Sequence, residues 1–135
     1  MTLSHLIKHS AAALLSSGAI TSLALGATPA EIESLYSAQA VTPASAVRGE
    51  ALFTTRHGRE WSCSSCHGGV PTRAGSHAAT GKSIAALAPA FNAERFTDAA
   101  KVEKWFRRNC NDVVGRECSA AEKADVLSWL RSLKP

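Results

Sequence analysis

The stretch Cys63-Ser64-Ser65-Cys66-His67 decides the fold, because CxxCH is the sequence to which a c-type haem is attached. Two thiols three positions apart add to the two vinyl groups of one porphyrin, and the adjacent imidazole then lies beneath the iron. Two glycines follow, which let the backbone pass close to the ring. The motif predicts one covalently bound haem c, with Cys63 and Cys66 as thioethers and His67 as the proximal iron ligand.

A CxxC pair has two other uses, as a redox dithiol or as half of a zinc site. A redox dithiol usually stands in a βαβ pattern, which this sequence does not have. A zinc site needs a second pair at finger-like spacing, but the next cysteines are Cys110 and Cys118. Both alternatives are therefore less favoured than the haem.

The N-terminus has the three regions of a secretory signal peptide. A short polar segment with Lys8 precedes the apolar run 11–25, and small residues follow near the expected cleavage at about 26–30. The alternative is an uncleaved anchor, but this run is shorter than the roughly 20 residues of a spanning helix. We expect a signal peptide over residues 1–27 and a soluble, periplasmic cytochrome c domain over residues 28–135, without stable membrane insertion.

The charge of the chain excludes one class of partner. There are 15 Lys and Arg side chains against 11 Asp and Glu, a formal net charge of +4. The predicted cleavage removes Lys8, and two haem propionates would lower the charge further. No basic cluster is interleaved with aromatic residues, so nucleic acid is not an expected partner. A modest docking face for an acidic redox partner remains open.

Capping signals divide the predicted domain into helices and loops. Thr28 with Glu31 and Ser119 with Glu122 form capping boxes, and Thr97 is the predicted N-cap of another helix. The predicted helices run from Pro29 to about Ala40, from Ala44 to Phe53, from Asp98 to about Cys110, and onward from Ser119, the last with Val126, Leu127, Leu130 and Leu133 on one face. Residues 54–92 are rich in Gly, Ser, Thr and Pro and predict a loop over the cofactor rather than a strand pair. The predicted class is all-α.

The second axial position of the iron is the open question. Electron-transfer cytochromes often use a Met thioether there, but Met1 is the only methionine and falls in the signal peptide. Met ligation is therefore excluded. The remaining candidates are His57, His77, a lysine, Tyr36, an amide, or no protein ligand.

Asn109 is the best-placed amide. At helical spacing it shares a face with Val102, Trp105 and Phe106, of which the two aromatics are predicted to contact the haem. An amide buried on an apolar face without a partner costs about 1–3 kcal/mol, so it needs one. Iron would serve, but so would backbone carbonyls if Asn109 capped the end of its helix. Spacing alone leaves both open.

Cys110 and Cys118 flank the predicted end of one helix and the start of the last. In an oxidising compartment a disulfide is the expected state, worth about 2.5 kcal/mol in a chain-entropy treatment of so short a loop. It would limit how far the neighbouring Asn109 can travel. A redox-active pair that tunes ligation is the alternative.

Blocks along the rest of the chain are more specific than CxxCH. They are Thr72-Arg73-Ala74-Gly75, Thr80-Gly81-Lys82, Leu87-Ala88-Pro89, Arg95-Phe96-Thr97-Asp98, Val102-Glu103-Lys104-Trp105, Arg108-Asn109-Cys110-Asn111, Val114-Gly115-Arg116-Glu117-Cys118 and Glu122-Lys123-Ala124-Asp125. Together they closely resemble the sphaeroides haem protein (SHP) family of monohaem c-type cytochromes, over essentially the whole predicted mature chain.

The resemblance implies a class I-like cytochrome c fold with His/Asn axial ligation, in which Asn109 is the distal ligand. In that family the Asn leaves the iron on reduction, and the ferrous haem can then bind small diatomic gases (O2, NO or CO). The electron donors implied are a dihaem cytochrome c and a membrane cytochrome b. A monomer or weak dimer is expected.

Two classes of function remain. The first is an electron carrier whose labile Asn opens the ferrous iron to gases. The second is a dedicated O2- or NO-binding protein, acting as a sensor, scavenger or weak oxidase. A neutral amide oxygen is a harder donor than a thioether and favours ferric over ferrous iron, which gives opening on reduction a physical basis. We expect electron transfer coupled to gas binding, with at most weak oxidase or NO-converting activity.

Overall fold

The computed structural model describes residues 26–135, which are mostly helical, so the predicted all-α class is confirmed. The helices are α1 (Pro29–Ser37), α2 (Ala46–Thr54), α3 (Ser64–His67), α4 (Ala99–Val113) and α5 (Ala120–Ser132). Two short strands, β1 (Gly75–Ser76) and β2 (Ser83–Ile84), lie between α3 and α4. The predicted signal peptide lies outside the described residues, apart from its last two positions. Within residues 26–135, no helix combines the length and apolar composition needed to cross a membrane.

Both predicted capping boxes form. The Thr28 hydroxyl accepts the Glu31 N–H at 3.2 Å, and the Glu31 carboxylate accepts the Thr28 N–H at 2.7 Å. Ser119 and Glu122 repeat the arrangement at the start of α5. These boxes fix the beginnings of the two helices because they satisfy amides that no helical carbonyl can reach.

The boundaries of α1, α2 and α4 differ from the prediction. α1 ends at Ser37 rather than near residue 40, and α2 begins after the Ser45 cap rather than at residue 44. The N-cap of α4 is Asp98, whose carboxylate accepts the Lys101 N–H at 2.9 Å; the predicted cap, Thr97, instead donates its hydroxyl to the Glu94 carbonyl. α4 also continues one turn beyond residue 110, to Val113.

The core lies around α5, which packs on α1 and α2. Gly49 allows the approach of α2, because a Cβ at this position would lie 2.0 Å from the Asp125 carbonyl oxygen. The core has two clusters, one with Ile32, Tyr36, Val102, Ala124 and Leu127 and the other with Phe53, Val126, Trp129 and Leu130. Phe96 and Phe106 contact both clusters, and the predicted apolar face of α5 is buried, with Leu133 packed at its edge.

Ion pairs also converge on α5. Within residues 26–135, each ion pair has one partner on this helix: Asp125 with Arg48, Lys123 with Glu103, Arg131 with Glu33, and Glu122 with Arg116. The partners come from α2, α4, α1 and the loop before α5. The last helix is therefore the element to which the others are attached.

The segment between α2 and α4 is loop-rich as predicted, but it contains a strand pair that the sequence argued against. β1 and β2 are antiparallel, with Gly75 opposite Ile84 and Ser76 opposite Ser83. Each strand has two residues, which is too short for alternating hydrophobicity to appear. A 3-10 turn, Pro89–Phe91, follows before α4.

Candidate haem-binding site

The CxxCH motif forms the single turn of α3. The His67 and Cys66 N–H groups donate to the Cys63 carbonyl at 3.1 and 3.3 Å, so the three motif residues stand at positions i, i+3 and i+4 of one helical turn. Side chains at these positions share a face. The sequence spacing therefore becomes two thiols and one imidazole on the same side of the chain.

The two thiols are half-buried and not bonded to each other. Burial raises the pKa of Cys63 to about 11, and the nearby Cys66 adds to the rise. In a redox-active CxxC motif the pKa of one thiol is instead lowered, which supplies the reactive thiolate. Within residues 26–135, no three His, Cys, Asp or Glu side chains are grouped to hold a metal ion, which leaves the zinc alternative without further ligands.

His67 has the environment of a neutral ligand. Its ring centroid lies 6.0 Å from that of Phe53, and it makes no side-chain hydrogen bond within the described residues. Burial lowers the pKa of His67, and the positive charge of Arg95 lowers it further. A metal-binding imidazole must be unprotonated, so both effects favour ligation.

Gly75 brings the β1–β2 hairpin against α3, which sequence reasoning did not identify. A Cβ at Gly75 would lie 2.1 Å from the Cys66 carbonyl oxygen and 3.0 Å from the His67 Cα. The Ala78 N–H also lies 3.2 Å from the Cys66 sulfur. The hairpin therefore covers the backbone of the motif.

Asn109 lies inside α4, four residues before its end, and Val114 is the C-cap. The alternative in which Asn109 caps the helix is therefore wrong. Its side chain is exposed and makes no hydrogen bond with any of residues 26–135. On the same face Val102 is buried, Phe106 is half-buried, and Trp105 is 45% exposed with the Arg108 guanidinium 5.7 Å from its ring centre.

The other candidates for the distal ligand are less suitable. The Tyr36 hydroxyl donates to the Glu103 carboxylate at 2.9 Å, and the His57 Nε2 lies 2.9 Å from the Leu52 carbonyl. His77 is exposed and belongs to the hairpin that packs on α3, the turn that carries the proposed proximal ligand His67. Asn109 makes no hydrogen bond within residues 26–135 and shares its helical face with Val102, Trp105 and Phe106.

A disulfide joins Cys110 to Cys118, with 5.7 Å between the two Cα atoms. Both cysteines are 7% exposed. Poor access for an attacking thiolate makes the redox-active alternative less suitable. The disulfide links Cys110, which directly follows Asn109 in α4, to Cys118, which precedes the N-cap Ser119 of α5.

The described residues fit a covalent haem. Within residues 26–135, two free thiols and an imidazole without a side-chain hydrogen bond share one face of the α3 turn, and the Asn109 amide stands on another helix. Val70, three residues after the motif, and Trp105, four before Asn109, remain 59% and 45% exposed. These apolar side chains near both candidate ligands are available to a flat apolar cofactor. When bound, a haem supplies an iron that cycles between ferric and ferrous states.

Comparisons with known proteins identify relatives of this chain. The family described as "Domain of unknown function (DUF1924)" matches residues 39–130. Cytochrome c-type protein SHP of Cereibacter sphaeroides is 52% identical over 112 residues, which are 80% of this chain and 86% of that protein.

Two solved structures have the same fold. The structure of oxidised SHP, described as an oxygen-binding cytochrome c, aligns with a TM-score of 0.75 and 49% identity, covering 80% of this chain and 99% of that one. Oxidised cytochrome c'' from Methylophilus methylotrophus aligns with a TM-score of 0.69 and 35% identity, covering 79% of this chain and 95% of that one. The expected cytochrome c fold is confirmed by these similarities.

Proposed function

We infer the function of this chain from its family: it belongs to the SHP family of c-type cytochromes and carries one covalently bound haem c. We propose that it is an exported, periplasmic electron carrier with a labile distal ligand, which opens the reduced iron to small diatomic gases. The description of the related SHP structure as oxygen-binding supports the gas-binding part of the proposal.

Each site residue has a proposed role. Cys63 and Cys66 hold the haem by thioether bonds, and His67 is the proximal ligand. Asn109 is the distal ligand, and Trp105 and Phe106 contact the haem beside it. The arrangement of the first three on one turn supports their assignment, because one porphyrin must meet both sulfurs and the imidazole.

The position of Asn109 is the observation that carries the proposal. It stands in the interior of α4 beside Trp105, with no hydrogen bond within residues 26–135, although a capping role would have given it one. An amide oxygen is a hard, neutral and weak donor, which suits ferric iron better than ferrous iron. Asn109 therefore binds in the oxidised state and leaves in the reduced state.

A dedicated O2- or NO-binding protein is the second candidate. A pure carrier would work best with an unchanged coordination sphere, since a ligand that moves adds reorganisation to each transfer. The proposed lability of Asn109 thus favours a role for the gas itself. We propose a dihaem cytochrome c and a membrane cytochrome b as the electron donors. Reduction by these donors would distinguish an electron carrier from an isolated gas sensor.

Spectra of three proteins test the distal assignment. The oxidised wild type should be six-coordinate and mostly low-spin, and the reduced protein should be high-spin and bind CO. Asn109→Ala should keep the haem but become high-spin or aquo-bound when oxidised. Asn111→Ala is the matched control, because Asn111 lies exposed on the same helix and donates to the Arg107 carbonyl.

Asn109→His should have the opposite effect, since an imidazole would close the site in both redox states and suppress CO binding. If Asn109→Ala kept the wild-type oxidised spectrum while His77→Ala changed it, the ligand assignment would be wrong. The protein would then be a bis-histidine carrier without a physical basis for gas binding.

A further inference from the structure

The helix that carries Asn109 is attached to the rest of the protein differently from α1 and α2. Those two helices pack their backbones closely on α5, whereas α4 makes few close backbone contacts with the other helices and strands of residues 26–135. It reaches the core through the side chains of Val102 and Phe106 and is tied near its end by the disulfide. A further side-chain contact between α4 and the other helices therefore helps to determine the position of Asn109.

Glu103 supplies such an attachment. The Lys123 ammonium of α5 donates to both carboxylate oxygens of Glu103 at 2.8 Å, and the Tyr36 hydroxyl of α1 donates to one of them at 2.9 Å. The Lys123 side chain is 10% exposed and that of Glu103 is 44% exposed. One side chain of α4 is thus held by two other helices.

The cluster of Tyr36, Glu103 and Lys123 is tightly arranged. The Lys123 ammonium also lies 5.3 Å from the centre of the Tyr36 ring. The pKa of Glu103 is held below its usual value, mainly by the hydrogen bonds from Lys123, so the carboxylate stays ionised at neutral pH. Charge-assisted hydrogen bonds of this kind are about twice as strong as neutral ones.

The cluster connects to the candidate haem face through Phe106. The Tyr36 and Phe106 rings meet edge to face, with centroids 5.8 Å apart. Phe106 lies halfway between Glu103 and Asn109 in the sequence, and six helical residues span about 9 Å along the axis. A shift of α4 at Glu103 is therefore transmitted to both Phe106 and Asn109 along one continuous helix.

We propose that Glu103, held by Tyr36 and Lys123, is a positioning residue for the distal ligand: it fixes α4 at the distance at which the Asn109 amide reaches the iron. The inference rests on the proposed function, since it presumes that Asn109 ligates. Loosening the cluster weakens Asn109 as an internal competitor. An exogenous ligand then binds the oxidised protein more tightly.

The test compares Glu103→Gln with Glu33→Gln. Glu33 forms an ion pair with Arg131 between α1 and α5, so its loss removes a similar pair without touching α4. Both variants should lower the melting temperature. Only Glu103→Gln should raise the oxidised high-spin fraction and tighten the binding of imidazole, a neutral external ligand, by about tenfold, within the usual range for coupled sites.

Tyr36→Phe is the milder variant and keeps the ring contact with Phe106 while removing one hydrogen bond. It should shift spin state and imidazole affinity in the same direction by a smaller factor. Equal changes in the high-spin fraction and imidazole affinity of Glu33→Gln and Glu103→Gln would overturn the proposal, because they would indicate a general loss of stability. Wild-type spin state and affinity in Tyr36→Phe would overturn it as well, even if Glu103→Gln failed to fold.

The outcome for Asn109→Ala separates the two inferences. If that variant leaves the oxidised spectrum unchanged, the proposed distal ligand is wrong. If it changes the spectrum while Glu103→Gln does not, the ligand assignment stands and the positioning role of Glu103 is rejected.

Discussion

Replacing Gly49 with alanine is a direct test of the contact between α2 and α5. Helix propensity alone favours the change, because alanine is better than glycine inside a helix by about 1 kcal/mol. The structure opposes it. The new Cβ would lie 2.0 Å from the Asp125 carbonyl oxygen, 2.4 Å from its carbon and 2.9 Å from the Val126 nitrogen.

All three contacts are with backbone, so no side chain can turn away and the two helices must separate. Ordinary contact between carbon atoms needs about 3.5 Å or more, so the required shift is on the order of 1 Å. Overpacking of this kind costs about 1–3 kcal/mol, occasionally more. Separation would also stretch the hydrogen bonds of Asp125 with the Arg48 guanidinium, now 2.8 Å, and with the Ser45 N–H, now 2.6 Å.

We expect a net loss of about 2 kcal/mol in the free energy of unfolding, which lowers the melting temperature by about 10 °C. Thermal unfolding of the oxidised, haem-loaded protein, followed by far-ultraviolet circular dichroism, measures it. Glu50→Ala is the control, since Glu50 is exposed on the same helix and its replacement should change stability by no more than about 0.5 kcal/mol. A Gly49→Ala protein that melts at or above the wild-type temperature would refute the reasoning.

Three further predictions concern the cysteines and the charge at the start of α5. Pyridine haemochrome titration should give one haem per chain, and Cys63→Ala with Cys66→Ala should leave no haem bound through denaturation; retained haem would exclude thioether attachment. Mass spectrometry of unreduced protein should find no alkylatable thiol at Cys110 or Cys118. Hydrogen bonding to its arginine partner lowers the pKa of Glu122 to about 2, below its unfolded value near 4.5. Glu122→Gln should therefore destabilise the protein above about pH 5, a difference that disappears towards pH 2 and that denaturant titrations across this range would measure.

The features that the sequence predicted well are local ones. Capping boxes depend on residues three positions apart, and the covalent motif depends on one helical turn, so both can be recognised without the fold. The face shared by Val102, Phe106 and Asn109 follows from helical spacing in the same way. The end of α4 was misplaced because Arg107 and Arg108 resemble the basic last turn of a helix, whereas α4 continues to Val113 and the left-handed turn follows at Gly115, where φ is 81°.

The features that were missed depend on contacts between distant segments. Gly49 and Gly75 look ordinary in the sequence, and their role appears only when another backbone lies where a Cβ would be. The β1–β2 pair is too short to show a period and packs against α3. The cluster around Glu103 joins three helices, and no local pattern links its members.

The convergence of the core and the ion pairs on α5 has a consequence for the order of events during biosynthesis. Both core clusters contain residues from α5, and the ion pairs within residues 26–135 all have a partner there. Because α5 follows all the other described elements in the sequence, the emerging chain has no complete core until α5 has been synthesised. The thiols of Cys63 and Cys66 are therefore made before the core that surrounds them, and they stay accessible to haem until α5 packs on α1 and α2.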